Sequence, residues 1–464
     1  MFYKFPDNFS WGSAVWAQGV EGAWNQDGKA MNVYEKYYEL SPERFQGMIG
    51  PYETLDWYHR YAEYASIAQS INQESFRTSI SWARLMPDGK NVNKKAVDFY
   101  RNMFRDLKGK GMDVYVVLYW FDMPLMYEDK GGFGNREIIP DFVKYCKNCF
   151  ELFHDVVDIF HVYNEPHVDT KHKYNNDTCY PNTVDFAHQT QAIFNMVLAH
   201  ALVVKEFKEE NYACKIGSVI NYSVVYPRSQ HPKDIEAAKL SSNLNFKCFM
   251  DPLILGHFPT GYFEALDSVG VKPKYEEEDL EIISSNTIDL VGINYYYPER
   301  AKAKENLPNL DGVLKQEIFY DFYEMPGRQM NKSRGWEIYP KALYDTLMDV
   351  KNTYRNVECY ISENGMGVEK EWNFRGPNGE IQDDYRIEFM QEHLISIHQA
   401  IEDGVNLKGY HVWSFIDLWS PSNQFKNLYG LIEFNINDQT ARTKKSAHWY
   451  AKMIADNGFE AGSK

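Results

Sequence analysis

Positive charge is scarce in this chain. Its 49 lysines and arginines stand against 65 aspartates and glutamates, which gives a net charge of −16 at pH 7. No lysine- or arginine-rich stripe stands out along the sequence. Proteins that bind nucleic acid need such a stripe to meet the phosphate backbone. The composition therefore argues against a nucleic-acid partner.

Long apolar runs are also missing. No window approaches the roughly 18 consecutive apolar residues that indicate a transmembrane helix, so we expect no membrane partner. The first residues, MFYKFPDNFSWG, contain no basic segment followed by an apolar run. We therefore expect no secretory signal, and a cytoplasmic location is the default expectation.

Cysteine is rare, with six residues in a chain of 464, which is too few for a disulfide framework. Cys146 and Cys149 form a CxxC pair, a pattern that also occurs in redox and zinc sites. With Phe142 and Phe153 they fall at helical spacing on one apolar stripe, and no second cysteine pair completes a metal site. We expect both cysteines in the core, and we expect no metal and no cofactor.

What the sequence does contain is a regular alternation of strand-like and helix-like segments. The predicted strands are 9–15, 74–80, 113–119, 157–163, 214–222, 287–295, 357–362 and 405–413. Amphipathic helices are predicted at 55–71, 94–108, 141–153, 184–208 and 384–402. Alternating units imply a parallel sheet, and eight of them imply a closed barrel. The prediction is an α/β protein, a single (β/α)8 TIM barrel domain over 1–464 with extended βα loops, among them a long loop at 297–335.

Polar and aromatic residues gather at the C-terminal ends of these strands, where barrel enzymes carry their chemistry. Two of them are glutamates, Glu165 after the fourth strand and Glu363 at the end of the seventh, and these strands face each other across the barrel mouth. Cleavage of a glycosidic bond needs one protonated and one ionised carboxyl group on opposite sides of the bond. Pro166 disfavours helical geometry in the preceding residue, so we expect Glu165 to be extended.

In this order the motifs resemble those of glycoside hydrolase family 1, the retaining β-glycosidases. The matching segments are FPDNFSWGSAVWAQGVEG, FRTSISWAR, YNEP, ISENG and ARTKKSAHWY. The resemblance covers essentially the whole chain. It implies a hydrolase that acts on a small-molecule β-glycoside without a cofactor.

The resemblance also implies residue roles. Glu165 would be the general acid and then the general base, and Glu363 the nucleophile, with their carboxyl groups about 5 Å apart. The two glutamates would be supported by Arg77, Asn294 and Tyr296. Substrate contacts would come from Gln18, Trp120, Asn164, Trp336, Trp413, Ser420, Asn427 and Tyr429.

One departure from the family pattern concerns the third strand. Trp120 stands where the family usually has histidine. An indole N–H can donate one hydrogen bond but accepts none, and the ring fills more volume. The geometry of the sugar contact at this place is therefore expected to differ.

A second group of departures lies in DLWSPSNQFKNLYGLI. Ser420 resembles the 6-phospho-β-glycosidase branch, in which a serine, a lysine and a tyrosine hold the 6-phosphate, and Tyr429 matches that tyrosine. The lysine position holds Asn427, with Lys426 one residue earlier. Either Lys426 turns in, or Asn427 suffices with weaker affinity, or phosphate is not the ligand. Pro421, in place of a tryptophan, favours glucose-type over galactose-type sugars.

The sequence is compatible with several functions. The sequence favours a retaining β-glycosidase that acts on 6-phospho-β-glucosides. The alternatives are a β-glucosidase for unphosphorylated, including aryl, β-glucosides and a catalytically weak sugar-binding protein on the same scaffold. A purely structural role is disfavoured by the polar residues at the strand ends.

Overall fold

A computed structural model describes residues 1–176, 178–307 and 309–461. Its centre is a closed barrel of eight parallel strands that follow one another in chain order around the barrel. These strands are β1 (Ser10–Ala14), β2 (Ser75–Ser79), β3 (Asp113–Tyr119), β4 (Ile159–Asn164), β5 (Lys215–Asn221), β6 (Leu290–Asn294), β7 (Glu358–Asn364) and β8 (Leu407–Trp413). The predicted (β/α)8 barrel is confirmed, and the single-domain assignment stays a prediction.

Helices pack around the barrel and occupy several of the loops. The longer ones are Trp57–Ser70, Lys94–Gly109, Ile139–Phe153, Pro166–Tyr174, Phe186–Glu209, Pro232–Ser242, Glu277–Ser285, Pro340–Thr353, Asp384–Glu402 and Lys445–Asp456. Shorter helices are Ala17–Val20, Val33–Leu40, Trp82–Leu85, Leu125–Glu128, Cys248–Ile254 and Tyr262–Ser268. All five predicted helices are present, with differences only at their ends, where boundaries are least well determined by local sequence.

One helix shows how the sequence specifies these elements. Lys94–Gly109 begins after Asn93, whose side chain accepts a hydrogen bond from the backbone N–H of Lys95. Phe104 and Leu107 lie on its buried face. The helix therefore combines a start signal with an apolar stripe that packs against the barrel.

The lower interior of the barrel holds aromatic and histidine side chains. The hydroxyl of Tyr360 lies 2.8 Å from Nε2 of His161, and that of Ser75 lies 2.8 Å from Nε2 of His411. Burial holds the pKa of both histidines well below the ordinary value, so both are neutral.

The stretch 297–335 is more ordered than predicted. Glu299–Lys302 pairs with Val225–Pro227 and with Asp321–Phe322. Met330–Asn331 pairs with Trp336–Glu337 to form a hairpin. The prediction of a plain loop was wrong here because strands of two to four residues are too short to show a periodic pattern. The remaining short strands are Phe2–Lys4, Val368–Glu369, Asn427–Leu428, Ile432–Asn435, Thr440–Thr443 and Gly458–Glu460.

Candidate active site

The two predicted glutamates share one cavity at the mouth of the barrel. Glu165 follows β4 directly and Glu363 is the penultimate residue of β7. Both are buried, with 8% and 3% of their surface exposed, and both line a cavity of about 230 Å³. Backbone hydrogen bonds to the neighbouring strands, from Glu165 to Val219 and from Tyr295 to Glu363, fix their positions.

The backbone of Glu165 differs from the prediction. Its φ is 45° and its ψ is 53°, which is the left-handed region and not the extended one. Pro166 is the first residue of the helix Pro166–Tyr174, a position that suits proline because no backbone donor is needed there. The chain passes from strand to helix within one residue, and that sharp turn places Glu165 in a conformation that side-chain-bearing residues rarely adopt.

Glu363 is held by a cation and a hydroxyl group. Nη2 of Arg77 donates to Oε1 of Glu363, and the hydroxyl of Tyr296 donates to Oε2 over 2.5 Å. Burial raises the pKa of Glu363, while the charge of Arg77 and then the Tyr296 hydrogen bond act in the opposite direction. Both oxygens of this carboxylate therefore have a donor that favours the ionised form.

Among the described residues, the hydrogen-bond donors to the carboxyl group of Glu165 are neutral amides. Its Oε1 accepts hydrogen bonds from Nδ2 of Asn294 at 2.8 Å and from Nδ2 of Asn221 at 3.0 Å. Burial, followed by the negative charge of Glu363, raises the pKa of Glu165 to about 8, against the smaller lowering effect of the two amides. At neutral pH the proton of the pair therefore resides on Glu165.

Asn164 connects these two environments. Its Oδ1 accepts from Nη1 of Arg77 at 2.9 Å and from Nδ2 of Asn294 at 3.2 Å. Asn294 is fixed in turn by the hydroxyl of Ser362, which donates to its Oδ1 at 2.6 Å. The Nδ2 of Asn164 is buried and has no hydrogen-bond partner among the described residues, so it is free to donate to a ligand.

Aromatic side chains form much of the cavity wall. The rings of Trp120 and Trp413 lie 5.6 Å apart, and the guanidinium carbon of Arg77 is 4.4 Å from the ring centroid of Trp120. On the other side, Trp336 lies 5.4 Å from the ring of Tyr296. Flat apolar walls of this kind suit the C–H faces of a sugar ring.

Three of the predicted substrate-binding residues, Gln18, Asn164 and Asn427, are not among the residues that line the cavity. Gln18 accepts a hydrogen bond from Nδ2 of Asn32, and Asn427 donates to the backbone carbonyl of Ser333 over 3.3 Å. Lys426 does not turn inward either, because its ammonium group is paired with Glu369 at 2.9 Å. Gln18, Asn427 and Lys426 each have a protein partner, and the substrate-binding roles of Gln18 and Asn427 stay predictions. The predicted residues that do line it are Glu165, Glu363, Trp120, Tyr296, Trp336, Trp413, Ser420 and Tyr429.

The structure adds wall residues that the sequence reasoning missed. Among them Asn221 brings an amide, His172 an imidazole and Arg334 a guanidinium group. Asn221 is the last residue of β5, so the rule that directed attention to the other strand ends would have found it. Arg334 lies in the hairpin of the stretch predicted as a loop, where no local signal pointed to the cavity.

The described residues contain no group of three or more histidine, cysteine, aspartate or glutamate side chains that could hold a metal ion. Cys146 and Cys149 lie buried in the helix Ile139–Phe153, and all six cysteines of the chain are unpaired. None of the described helices combines the length and apolar character needed to span a bilayer.

Comparison with known proteins identifies the family. The pattern described as "Glycosyl hydrolase family 1" matches residues 1–459. The chain belongs to glycosyl hydrolase family 1. This family 1 chain is 44% identical over 459 residues to the 6-phospho-beta-glucosidase GmuD of Bacillus subtilis, covering 98% of this chain and 99% of that protein. It is 33% identical to beta-glucosidase A of Acetivibrio thermocellus, with 98% and 99% of the two chains covered.

Solved structures agree with this assignment. The family 1 β-glucosidase from Thermotoga maritima superimposes with a TM-score of 0.90 at 30% identity, covering 99% of this chain and 100% of that one. The predicted family and the glycosidase class are thereby confirmed. The protein is a glycoside hydrolase that acts on β-glycosides, and retention of configuration is general to its family.

Proposed function

We propose that this family 1 enzyme hydrolyses 6-phospho-β-glucosides, with Glu165 as acid and base and Glu363 as nucleophile. The observation that carries these roles is the asymmetry of two carboxyl groups in one cavity. Glu363 is bound by Arg77 and by the hydroxyl of Tyr296, whereas Glu165 is bound by amides and has its pKa raised to about 8. A retaining glycosidase needs this division between an ionised and a protonated carboxyl group.

In the first step a carboxylate oxygen of Glu363 attacks the anomeric carbon while the bond to the leaving oxygen breaks. Glu165 gives its proton to that oxygen, and a covalent glycosyl-enzyme forms. In the second step Glu165, now ionised, takes a proton from water as the water oxygen attacks the same carbon and Glu363 departs. Two inversions give a β-configured product. The unpartnered Nδ2 of Asn164 donates to the sugar 2-hydroxyl.

The phosphate preference is supported by the wall near Ser420 and Tyr429, which both line the cavity. Their hydroxyl groups can donate to phosphate oxygens, and no carboxylate stands at position 420 to repel a dianion. The 44% identical relative named a 6-phospho-beta-glucosidase points the same way. Trp336 is proposed to line the aglycone side, and Pro421 favours glucose over galactose.

A cytoplasmic location is part of the proposal. All six cysteines are unpaired, which is the state expected of thiols in a reducing compartment.

A second candidate is hydrolysis of unphosphorylated β-glucosides. Asn427 and Lys426, at the place where the phospho-branch has its lysine, are both bound to protein partners outside the cavity. The relative from Acetivibrio thermocellus, named a beta-glucosidase, is the corresponding comparison.

One pair of assays separates the candidates. Hydrolysis of 4-nitrophenyl β-glucoside is compared with that of its 6-phosphate, and the proposal expects higher kcat/KM for the phosphorylated compound. Equal or better turnover of the unphosphorylated compound supports the second candidate. Binding of either compound without turnover would instead indicate a sugar-binding protein.

The roles of the two glutamates are tested separately. Glu363→Ala abolishes hydrolysis, and added azide occupies the space of the missing carboxylate, so it yields the α-glycosyl azide. A β-azide from this variant would mean that the roles of Glu363 and Glu165 are exchanged.

A further inference from the structure

Arg334 brings a positive charge to the cavity wall. It lies between the paired strands Met330–Asn331 and Trp336–Glu337 and lines the cavity together with Ser420 and Tyr429. Its guanidinium carbon is 4.0 Å from the ring centroid of Trp336. Stacking on this ring limits the orientations that the guanidinium group can adopt.

The guanidinium group of Arg334 is available to a ligand, whereas the neighbouring cations are already paired with carboxylates. Arg77 is bound to Glu363, and the ammonium group of Lys426 is paired with Glu369 at 2.9 Å. The Nε of Arg334 is buried and has no hydrogen-bond partner among the described residues. A buried guanidinium N–H without a partner is costly unless a ligand supplies an acceptor.

Arg334 also lies beside the hydroxyl group that the phospho-branch pattern assigns to phosphate. Burial raises the pKa of Tyr429 to about 12, and the adjacent Arg334 guanidinium opposes this rise. The rings of Tyr429 and Tyr296 are 6.4 Å apart, and the Tyr296 hydroxyl donates to Glu363. Arg334 is thus adjacent to Tyr429, Glu363 is bound to Tyr296, and both Arg334 and Glu363 line the same cavity.

We propose that Arg334 binds the 6-phosphate of the substrate, with the hydroxyl groups of Tyr429 and Ser420. It takes the place of the lysine that the phospho-branch pattern has where this chain carries Asn427. This assignment rests on the proposed phosphate preference. A guanidinium group offers two parallel N–H donors to two phosphate oxygens, and it stays charged at any pH at which the enzyme is active.

The matched variants are Arg334→Gln, which removes the charge and keeps polar donors, and Arg334→Lys, which restores a charge without the planar fork. Lys426→Gln is the control, because it removes a neighbouring charge that is bound to Glu369 outside the cavity. For each protein, kcat and KM are measured with 4-nitrophenyl β-glucoside 6-phosphate and with 4-nitrophenyl β-glucoside. Thermal unfolding shows that each variant is folded.

We expect Arg334→Gln to lower the preference for the phosphorylated substrate, expressed as the ratio of the two kcat/KM values, by about 10- to 100-fold, chiefly through KM. Arg334→Lys recovers part of the ratio, and Lys426→Gln leaves the ratio unaltered. An unmodified enzyme with no preference for the phosphorylated compound overturns both the proposed function and this assignment. A preferring enzyme whose preference survives Arg334→Gln, or whose two kcat/KM values fall equally, overturns the role of Arg334 alone.

Discussion

The charge of Glu363 should hold the proton on Glu165, and replacing Glu363 by glutamine tests this coupling. Glutamine keeps the size of the side chain and removes its negative charge. That charge is, after burial, the largest cause of the raised pKa of Glu165, which is about 8. In Glu363→Gln the pKa of Glu165 should therefore fall.

The size of the change follows from the proposed geometry. Two unit charges about 5 Å apart interact by roughly 3 kcal/mol at an effective dielectric constant of about 20. Since one pH unit corresponds to about 1.4 kcal/mol, the pKa of Glu165 should fall by roughly two pH units. It should still lie above the ordinary glutamate value, because burial remains in the variant.

The assay is a titration of the side-chain carboxyl carbon by ¹³C NMR in protein labelled at glutamate. The Glu165 signal is assigned from its absence in Glu165→Gln. In the unmodified enzyme, kcat/KM plotted against pH should decline on the alkaline side (the alkaline limb) with the pKa of the same group, Glu165. Because the acid must carry its proton, activity is retained below about pH 8 and lost as the pH rises through that value.

An unchanged pKa of Glu165 in Glu363→Gln would refute the reasoning. It would mean that the two carboxyl groups do not interact across one cavity, and the retaining geometry would then have no support. A rise in the pKa would be equally damaging, since removal of a negative charge can only favour the ionised form of its neighbour.

Three further predictions concern the surroundings of the pair. Asn221→Leu removes a hydrogen bond to ionised Glu165, so the alkaline limb of kcat/KM should move up by roughly half to one pH unit. Arg77→Met removes the cation at the nucleophile, so the acidic limb should move to higher pH and kcat should fall by at least roughly 100-fold. Lys444→Met removes the ion-pair partner of the buried Asp417, while the buried Glu371 keeps Arg386, and it should lower the free energy of unfolding in urea by roughly 3–5 kcal/mol. Lys445→Met, which breaks an exposed pair, should change this free energy by less than about 1 kcal/mol.

Each of these three predictions would be contradicted by a specific result. A downward shift of the alkaline limb in Asn221→Leu would show that the amide favours the protonated acid. An acidic limb at the same pH in Arg77→Met would show that the guanidinium does not control ionisation of the nucleophile. Equal destabilisation by Lys444→Met and Lys445→Met would show that burial of the ion pair does not set its strength.

The barrel and the two glutamates were predictable because their signals are local. A strand such as β3 is almost continuously apolar, and a parallel strand buried on both faces has to be. Glu165 and Glu363 stand at strand ends within strings of residues that the family shares. Once eight strands are placed in order, the barrel topology brings those ends together without further information.

The cavity wall formed by Arg334, Ser420 and Tyr429 was not predictable in the same way. Asn427 matches the phospho-branch lysine in sequence position, yet its amide binds the carbonyl of Ser333, a residue of the hairpin that carries Arg334. Positions 333 and 427 meet only because the segments that follow two different barrel strands, β6 and β8, fold against each other. Such lateral packing depends on contacts between distant segments and leaves no periodic signal in either one.

The difference in pKa between Glu165 and Glu363 depends on which groups the guanidinium group of Arg77 contacts. Arg77 approaches the pair from β2 and has two terminal nitrogens to offer. One donates to Glu363 and the other donates to Oδ1 of Asn164, the residue immediately before Glu165. Because the second nitrogen is bound to a neutral amide, the positive charge acts on one carboxyl group through a direct contact and on the other only from a distance. Two glutamates of similar burial therefore differ in protonation because Arg77 contacts Glu363 directly, whereas the charge of Glu363 raises the pKa of Glu165.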